Sequence, residues 1–139
     1  MKLHDYSLKF PDRFQYNGAI PPKEKIAITE KAHIGFFLIR PHSHYWVKAS
    51  PNKVFEYLIC GVVPVIRADI DYLQEIDRSS LSFSREATED EILSRTLQLI
   101  EDPKKILNLM KHARDASKNF TWESVACRYI EFYRTIIES

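Results

Sequence analysis

The chain has 139 residues, of which 45% are hydrophobic and 28% charged, and its formal net charge is +1. These values predict one soluble globular domain that buries about two-thirds of its unfolded surface, and they give no electrostatic case for nucleic acid or an anionic membrane as a partner. Without a run of 18 apolar residues or a signal-peptide pattern, we expect no membrane span and a cytoplasmic location. Cys60 and Cys127 are then expected to be reduced core residues.

The first third of the sequence predicts two strands separated by a helix. Apolar residues alternate with polar ones near the start, so residues 1–13 could form an extended arm. Residues 14–17 have the composition of a short strand, and Gly18 begins the loop that follows it. A modest helix is expected over residues 23–31. Residues 34–39 are nearly all apolar, which predicts a strand buried on both faces.

The middle of the chain predicts a helix that leads directly into a buried strand. Ser50 is a good N-cap and Pro51 suits the first position of a helix over residues 51–60. Gly61 can take the left-handed conformation that commonly follows a last helical turn. Residues 63–66 are apolar and rich in valine and isoleucine, as in a buried strand.

The last part of the chain is predicted to be mostly helical. A short helix is expected over residues 69–76, a strand over 81–83, and helices over 88–101, 103–118 and 121–137, with Thr88 and Thr121 as caps. Apolar stripes on the last three helices are expected to pack onto the sheet. The stripes are Leu93, Leu97 and Ile100; Ile106, Leu109 and Met110; and Val125, Tyr129, Phe132 and Ile136. Trp122 and Tyr133 are likewise expected to be core or helix-packing residues.

Strands that alternate with helices are typical of a parallel sheet covered on both faces, so the sequence predicts an α/β fold with a partial Rossmann-like sheet flanked by helices. Ligands of such sheets bind beyond the carboxyl ends of the strands. The start of the helix over residues 51–60 should lie there. Its free N–H groups, with Lys53 beside them, are typical of a phosphate site that uses no metal.

Several segments of the chain resemble a known family when they are taken in order. They are residues 14–18, residues 32–35, residues 49–57 (ASPNKVFEY), Gly61, residues 64–65 and residues 121–123. The series is similar to the donor-binding region of family 4 glycosyltransferases, which have the GT-B fold. The resemblance covers roughly residues 12–138. It implies that residues 1–139 are one partial nucleotide-sugar-binding domain, the later part of a GT-B C-terminal domain.

The resemblance also assigns roles to residues of the central helix. It implies that Glu56 accepts hydrogen bonds from the ribose hydroxyls of a nucleoside-diphosphate sugar, a task that suits a carboxylate. Ser50, Asn52 and Lys53 would contact the diphosphate, and neither a cofactor nor a metal is expected. The alternative is a solvated Glu56 that only pairs with Lys53 or Asn52, one turn earlier, with Ser50 acting as a plain cap.

The loop before this helix is the second candidate region. Arg40 and Trp46 follow the end of a predicted strand, where they could face the sugar or the base of a donor. His42 and His44 alone are weak support for a metal site. Lys48 stands where many members of the family have a glutamate that contacts the donor sugar, a difference that bears on sugar recognition.

The resemblance implies that these residues are only part of an enzyme. They do not include an acceptor-binding domain, nor the first two strands and the glycine-rich turn of the donor domain. The strand over residues 14–17 must then pair with residues 34–39, pair with another chain, or remain unpaired. An uncovered sheet edge also favours association with a second copy. Expected partners are therefore a nucleotide-sugar, a missing N-terminal domain or separate subunit, and a homo-oligomer.

Two functions follow from this sequence. The first is the donor-binding portion of a retaining glycosyltransferase, inactive by itself. The second is a non-catalytic fragment or degenerate relative that acts as a nucleotide-binding or protein-interaction module.

Overall fold

The structure, a computed structural model, describes residues 3–39, 51–68 and 76–138. Within them a three-stranded sheet is flanked by helices. The helices are α1 (Leu3–Lys9), α2 (Pro22–Thr29), α3 (Asn52–Cys60), α4 (Glu89–Ile100), α5 (Pro103–Ser117) and α6 (Trp122–Ile137), with a 3₁₀ turn at Lys118–Phe120; the strands are β1 (Ile34–Leu38), β2 (Val63–Arg67) and β3 (Leu81–Phe83).

The sheet is parallel throughout, and its strand order is β1-β2-β3. Ile34 lies opposite Val63 in the first pair, and Val65 lies opposite Leu81 in the second. All five residues of the central strand β2 are buried. The predicted α/β class, the parallel sheet and its three strands are confirmed.

Each face of the sheet has its own apolar core, because successive side chains of a strand point to opposite faces. On one face Ile66 packs with Leu58 of α3 and Ala113 of α5. On the other face Val65 packs with Ile92 of α4. These three helices thus bury apolar surface against the same strand, and α3 is fixed over β1 and β2.

The N-terminal segment differs from its prediction. Residues 14–17 are not a strand, and Leu3–Lys9 is a short helix where an extended arm was expected. Without a neighbouring strand, this stretch forms hydrogen bonds locally. The Ser7 hydroxyl donates to the carbonyl of Phe14 (3.2 Å) and accepts from the N–H of Tyr16 (3.1 Å).

The expectation that residues 34–39 are buried on both faces is wrong. Phe36 and Leu38 are 51% and 42% exposed. Among the described strands, β1 lies at the edge of the sheet. Ile34 at its start packs against the cores that α4 and α5 form on this face, but Phe36 and Leu38 lie beyond them. An apolar composition predicted burial on both faces for β1 and β2, and the prediction is correct only for β2.

The C-terminal helices begin where the sequence places them. Thr88 accepts a hydrogen bond from the N–H of Glu91 (3.2 Å), and Thr121 accepts one from the N–H of Ser124 (3.2 Å). Each cap satisfies an N–H group that has no partner inside its helix. The last two helices end within one residue of their predicted limits.

The predicted packing stripes are correct for α5 and wrong for the other two helices. Ile106 of α5 is buried, but α4 buries the neighbouring stripe of Ile92, Thr96 and Leu99 and leaves its predicted stripe exposed. α6 contains no buried residue. Its exposed members include Trp122, which is 87% exposed, Tyr129, Phe132, Tyr133 and Ile136. Cys127 is exposed as well, so only Cys60 is a core cysteine.

Some predictions lie at the margins of the described residues. The helix over residues 69–76 falls outside them except for Ile76, which the structure describes as part of a 3₁₀ turn together with residues 77–79. α2 starts one residue before its predicted range and ends two residues earlier. None of the helices that the structure describes is long and apolar enough to cross a membrane.

Candidate functional site

Among the described residues, the residue that caps α3 makes no side-chain hydrogen bond to the helix. Its first residue is Asn52, and Pro51 occupies the cap position with an extended backbone (φ −75°, ψ 111°) and no capping side chain, one residue later than predicted. The predicted cap, Ser50, lies outside the described residues. The first N–H groups of a helix have no partner within the helix, and they give its N-terminus a partial positive charge. Lys53 adds a full charge to the same turn.

The end of α3 is fixed by a turn that requires glycine. Gly61 has a φ of 67°; its N–H donates to the carbonyl of Leu58 (2.9 Å), and the N–H of Val62 donates to the carbonyl of Tyr57 (2.9 Å). This pair of bonds is the Schellman motif, and glycine takes the left-handed conformation with the least strain. The chain then enters β2 directly, so the helix is held to the centre of the sheet.

Replacement of Gly61 by alanine should therefore destabilise the fold. A Cβ atom there would overlap the side chain of Arg114 on α5, in addition to the strain of the left-handed backbone. We expect the free energy of unfolding to fall by about 2–3 kcal/mol in urea denaturation. Gly18→Ala is the matched control, because Gly18 has a φ of 63° with nothing near its added Cβ. Equal losses in the two variants would show that the contact with Arg114 is unimportant.

Tyr57 packs α3 against the edge strand. Its hydroxyl donates to the carbonyl of Phe36 (3.1 Å), and a Cβ atom on Gly35 would lie only 2.6 Å from its ring. Burial, followed by the nearby charge of Glu56, raises the pKa of this phenol. Gly35 therefore lets the helix lie close to β1, and the start of α3 is set beside the carboxyl end of that strand.

Glu56 lies between two lysines. Nζ of Lys25, on α2, is 2.5 Å from Oε1, and Nζ of Lys53, one turn earlier on α3, is 3.5 Å from Oε2. The side chain of Glu56 is partly buried, so its charge is less screened than on an open surface. Two cations and one carboxylate leave the group with a net charge of +1.

The lysines keep this carboxyl group ionised. Burial alone would raise the pKa of Glu56, but the hydrogen bonds and charges of Lys25 and Lys53 together outweigh it and lower the pKa below its ordinary value. Each carboxylate oxygen has two acceptor positions, so a lysine on each oxygen leaves others for further donors. The group can accept two hydroxyls from one ligand and attract an anion with its excess charge.

The structure brings together part of the predicted site. Asn52, Lys53 and Glu56 lie in the first two turns of α3, and Lys53 and Glu56 are in contact. Arg40 and Trp46 lie outside the described residues, as does the rest of the loop over residues 40–50.

Two cations, one beside Glu56 and one at the end of β2, were not predicted from the sequence. Lys25 is 31 positions from Glu56, and no spacing pattern links them. Arg67 is buried at the end of β2, where Nε donates to the carbonyl of Ile39 (3.0 Å) and Nη1 to that of Ala87 (3.4 Å). Arg67 could have been identified from the sequence, because it is a charged residue at the end of an apolar strand. No feature of the sequence indicated Lys25.

Two cavities lie away from α3. One of about 350 Å³ is polar and includes Asp77, Ser82 and Arg95 in its lining, and one of about 490 Å³ is apolar and lies between Ile34 and Leu107. Among the described residues, no group of three potential metal ligands comes together. Glu56 and its two lysines together carry a net positive charge, whereas the residues that line either cavity do not.

Comparison of the chain with protein-family models, with curated proteins and with solved structures found no match.

Proposed function

We propose that the chain is the donor-binding portion of a retaining glycosyltransferase that uses a nucleoside-diphosphate sugar. The observation that carries the proposal is the ionised Glu56, held with Lys53 in the first two turns of α3 beside the carboxyl end of a parallel strand. This is where nucleotides bind in open α/β sheets. The family resemblance of residues 49–57 supports the same assignment.

Each part of a nucleotide would meet a suitable group. The two oxygens of Glu56 would accept hydrogen bonds from the two ribose hydroxyls. The diphosphate would meet the N–H groups of the first turn of α3 and the ammonium of Lys53. During transfer, the bond between the sugar and the diphosphate breaks and negative charge develops on the diphosphate. The helix N-terminus and Lys53 would stabilise that charge.

The exposed apolar surfaces support a partner that supplies the rest of an enzyme. β1 exposes Phe36 and Leu38, and α6 exposes a stripe that includes Tyr129 and Phe132. Large exposed apolar patches commonly mark interaction sites. We propose a separate N-terminal domain or subunit as the partner, and the open edge of β1 also permits pairing with a second copy.

A second candidate function is favoured by the contacts of Glu56. Its two oxygens already face Lys25 and Lys53, so the carboxylate is satisfied without a ligand. On this alternative the chain is a non-catalytic module that binds a nucleotide weakly, or only associates with another protein. Nucleotide titration of the purified chain distinguishes a function that includes nucleotide binding from one that consists only of association with another protein.

We expect UDP or GDP to shift backbone amide signals of α3 in NMR spectra, and Glu56→Gln or Lys53→Met to weaken that binding at least tenfold. A hydrogen bond to a charged group contributes about 1.5–3 kcal/mol, and 1.4 kcal/mol corresponds to a factor of ten. Asp115→Asn and Lys118→Met are matched controls, because these residues form an ion pair (2.7 Å) with the same spacing of three positions at the end of α5. Unchanged affinity in the α3 variants, or no binding by the unaltered chain, would contradict the assignment.

A further inference from the structure

The closer of the two cations at Glu56 comes from a different helix. Lys25 lies in the first half of α2, where the N–H of Lys25 donates to the carbonyl of Pro21 (3.0 Å) and Thr29 Oγ1 donates to that of Lys25 (2.8 Å). Its Nζ lies 2.5 Å from Oε1 of Glu56, whereas Nζ of Lys53 lies 3.5 Å from Oε2 and is the more weakly bonded of the two. The Lys25 side chain is 30% exposed and that of Lys53 45%.

We propose that Lys25 is a positioning residue of the nucleotide site, one that holds the Glu56 carboxylate in place for the ribose. This inference rests on the proposed function. Lys25 binds one oxygen of Glu56 and does not contact the ligand itself. Lys53, which is more exposed and more loosely paired, is the cation that turns toward the diphosphate.

The division of roles follows from the rotational freedom of the carboxylate. The side chain of Glu56 gains that freedom when it loses its partner, and ordering it again to meet the ribose hydroxyls costs free energy. If Lys53 were the sole partner of Glu56, its movement to a phosphate would release the carboxylate. The bond from Lys25 keeps Glu56 in place while Lys53 binds the anion. The site can then use both cations for one nucleotide.

Lys25→Met should weaken binding most when the ligand has ribose hydroxyls. We expect about tenfold weaker binding of the UDP or GDP that binds the unaltered chain, and a smaller loss, due to the removed charge alone, for the 2′,3′-dideoxy form of the same diphosphate. Lys25→Arg should restore most of the affinity, because a guanidinium can also donate to a carboxylate. Lys53→Met should weaken the two ligands equally. Lys118→Met is the control for loss of a surface lysine.

A second measurement does not depend on any ligand. The pKa of Glu56, followed through its carboxyl carbon by NMR, should be higher in Lys25→Met than in the unaltered chain, and close to the unaltered value in Lys25→Arg. If Lys25→Met lost the same affinity for both nucleotides, or if the pKa of Glu56 did not change in this variant, the positioning role would be contradicted. The proposed function would not be affected by either result. Failure of the unaltered chain to bind either diphosphate would overturn both.

Discussion

Leu58→Ala is expected to lower the free energy of unfolding by about 2–5 kcal/mol. Leu58 is fully buried and packs in one cluster with Val54 of the same helix and Ile66 of β2. Alanine would leave a cavity between α3 and the sheet, and a cavity costs lost packing as well as lost burial. A loss of this size is a large fraction of the 5–15 kcal/mol that stabilises most domains.

Urea denaturation followed by circular dichroism measures this effect, and the neighbouring residue is the control. Ile59 is 63% exposed on the same helix, so Ile59→Ala should change stability by no more than about 0.5 kcal/mol. Both variants place an alanine in α3, so the helix propensity of the new residue is the same in each. Similar effects in the two variants would show that α3 does not pack on the sheet by the Leu58 face.

The sequence was sufficient for the sheet and for most helix limits because those features depend on neighbouring residues. A short run of β-branched residues after Gly61 identifies β2, and Thr88 and Thr121 identify the starts of α4 and α6. Capping and turn conformation are decided within about one helical turn, so local chemistry predicts them well.

Burial was predicted less well because it depends on which elements are neighbours. The stripe of Leu93 and Leu97 has the spacing of a packing face, but the adjacent stripe of Ile92 and Leu99 is the one that meets the sheet. α6 has a similar pattern and no buried residue. Spacing shows that a helix can bury one side, and the rest of the fold decides whether that side is covered.

The candidate site was predicted only as far as one helix extends. Lys53 and Glu56 are three residues apart, so helical geometry alone brings them into contact. The bond from Lys25 joins two helices separated by a strand, and it depends on how α2 lies against α3. The same limit applies to residues 14–17, whose strand composition had no adjacent strand to pair with in the described part of the chain.

The largest functional effect is expected in sugar transfer itself. We predict that the purified chain alone does not transfer sugar from a UDP- or GDP-sugar at a rate above hydrolysis of the donor in buffer. Under the proposed function, the acceptor is held by a partner that these 139 residues do not include. Holding two reactants in alignment can contribute about 7–11 kcal/mol of the barrier, which corresponds to a factor of about 10⁵–10⁸ in rate.

Turnover should appear when the proposed acceptor-binding partner is added. The first candidate to test is the protein encoded by the reading frame upstream of this gene. The added protein should cover β1 and α6, so the exposed Phe36 and Phe132 should become protected from solvent when it binds. Glu56→Gln in the same mixture should lower turnover, whereas Asp115→Asn should not, because only Glu56 is assigned to the nucleotide. Robust transfer by the chain alone would show that it contains an acceptor site and would contradict the division into donor and acceptor parts.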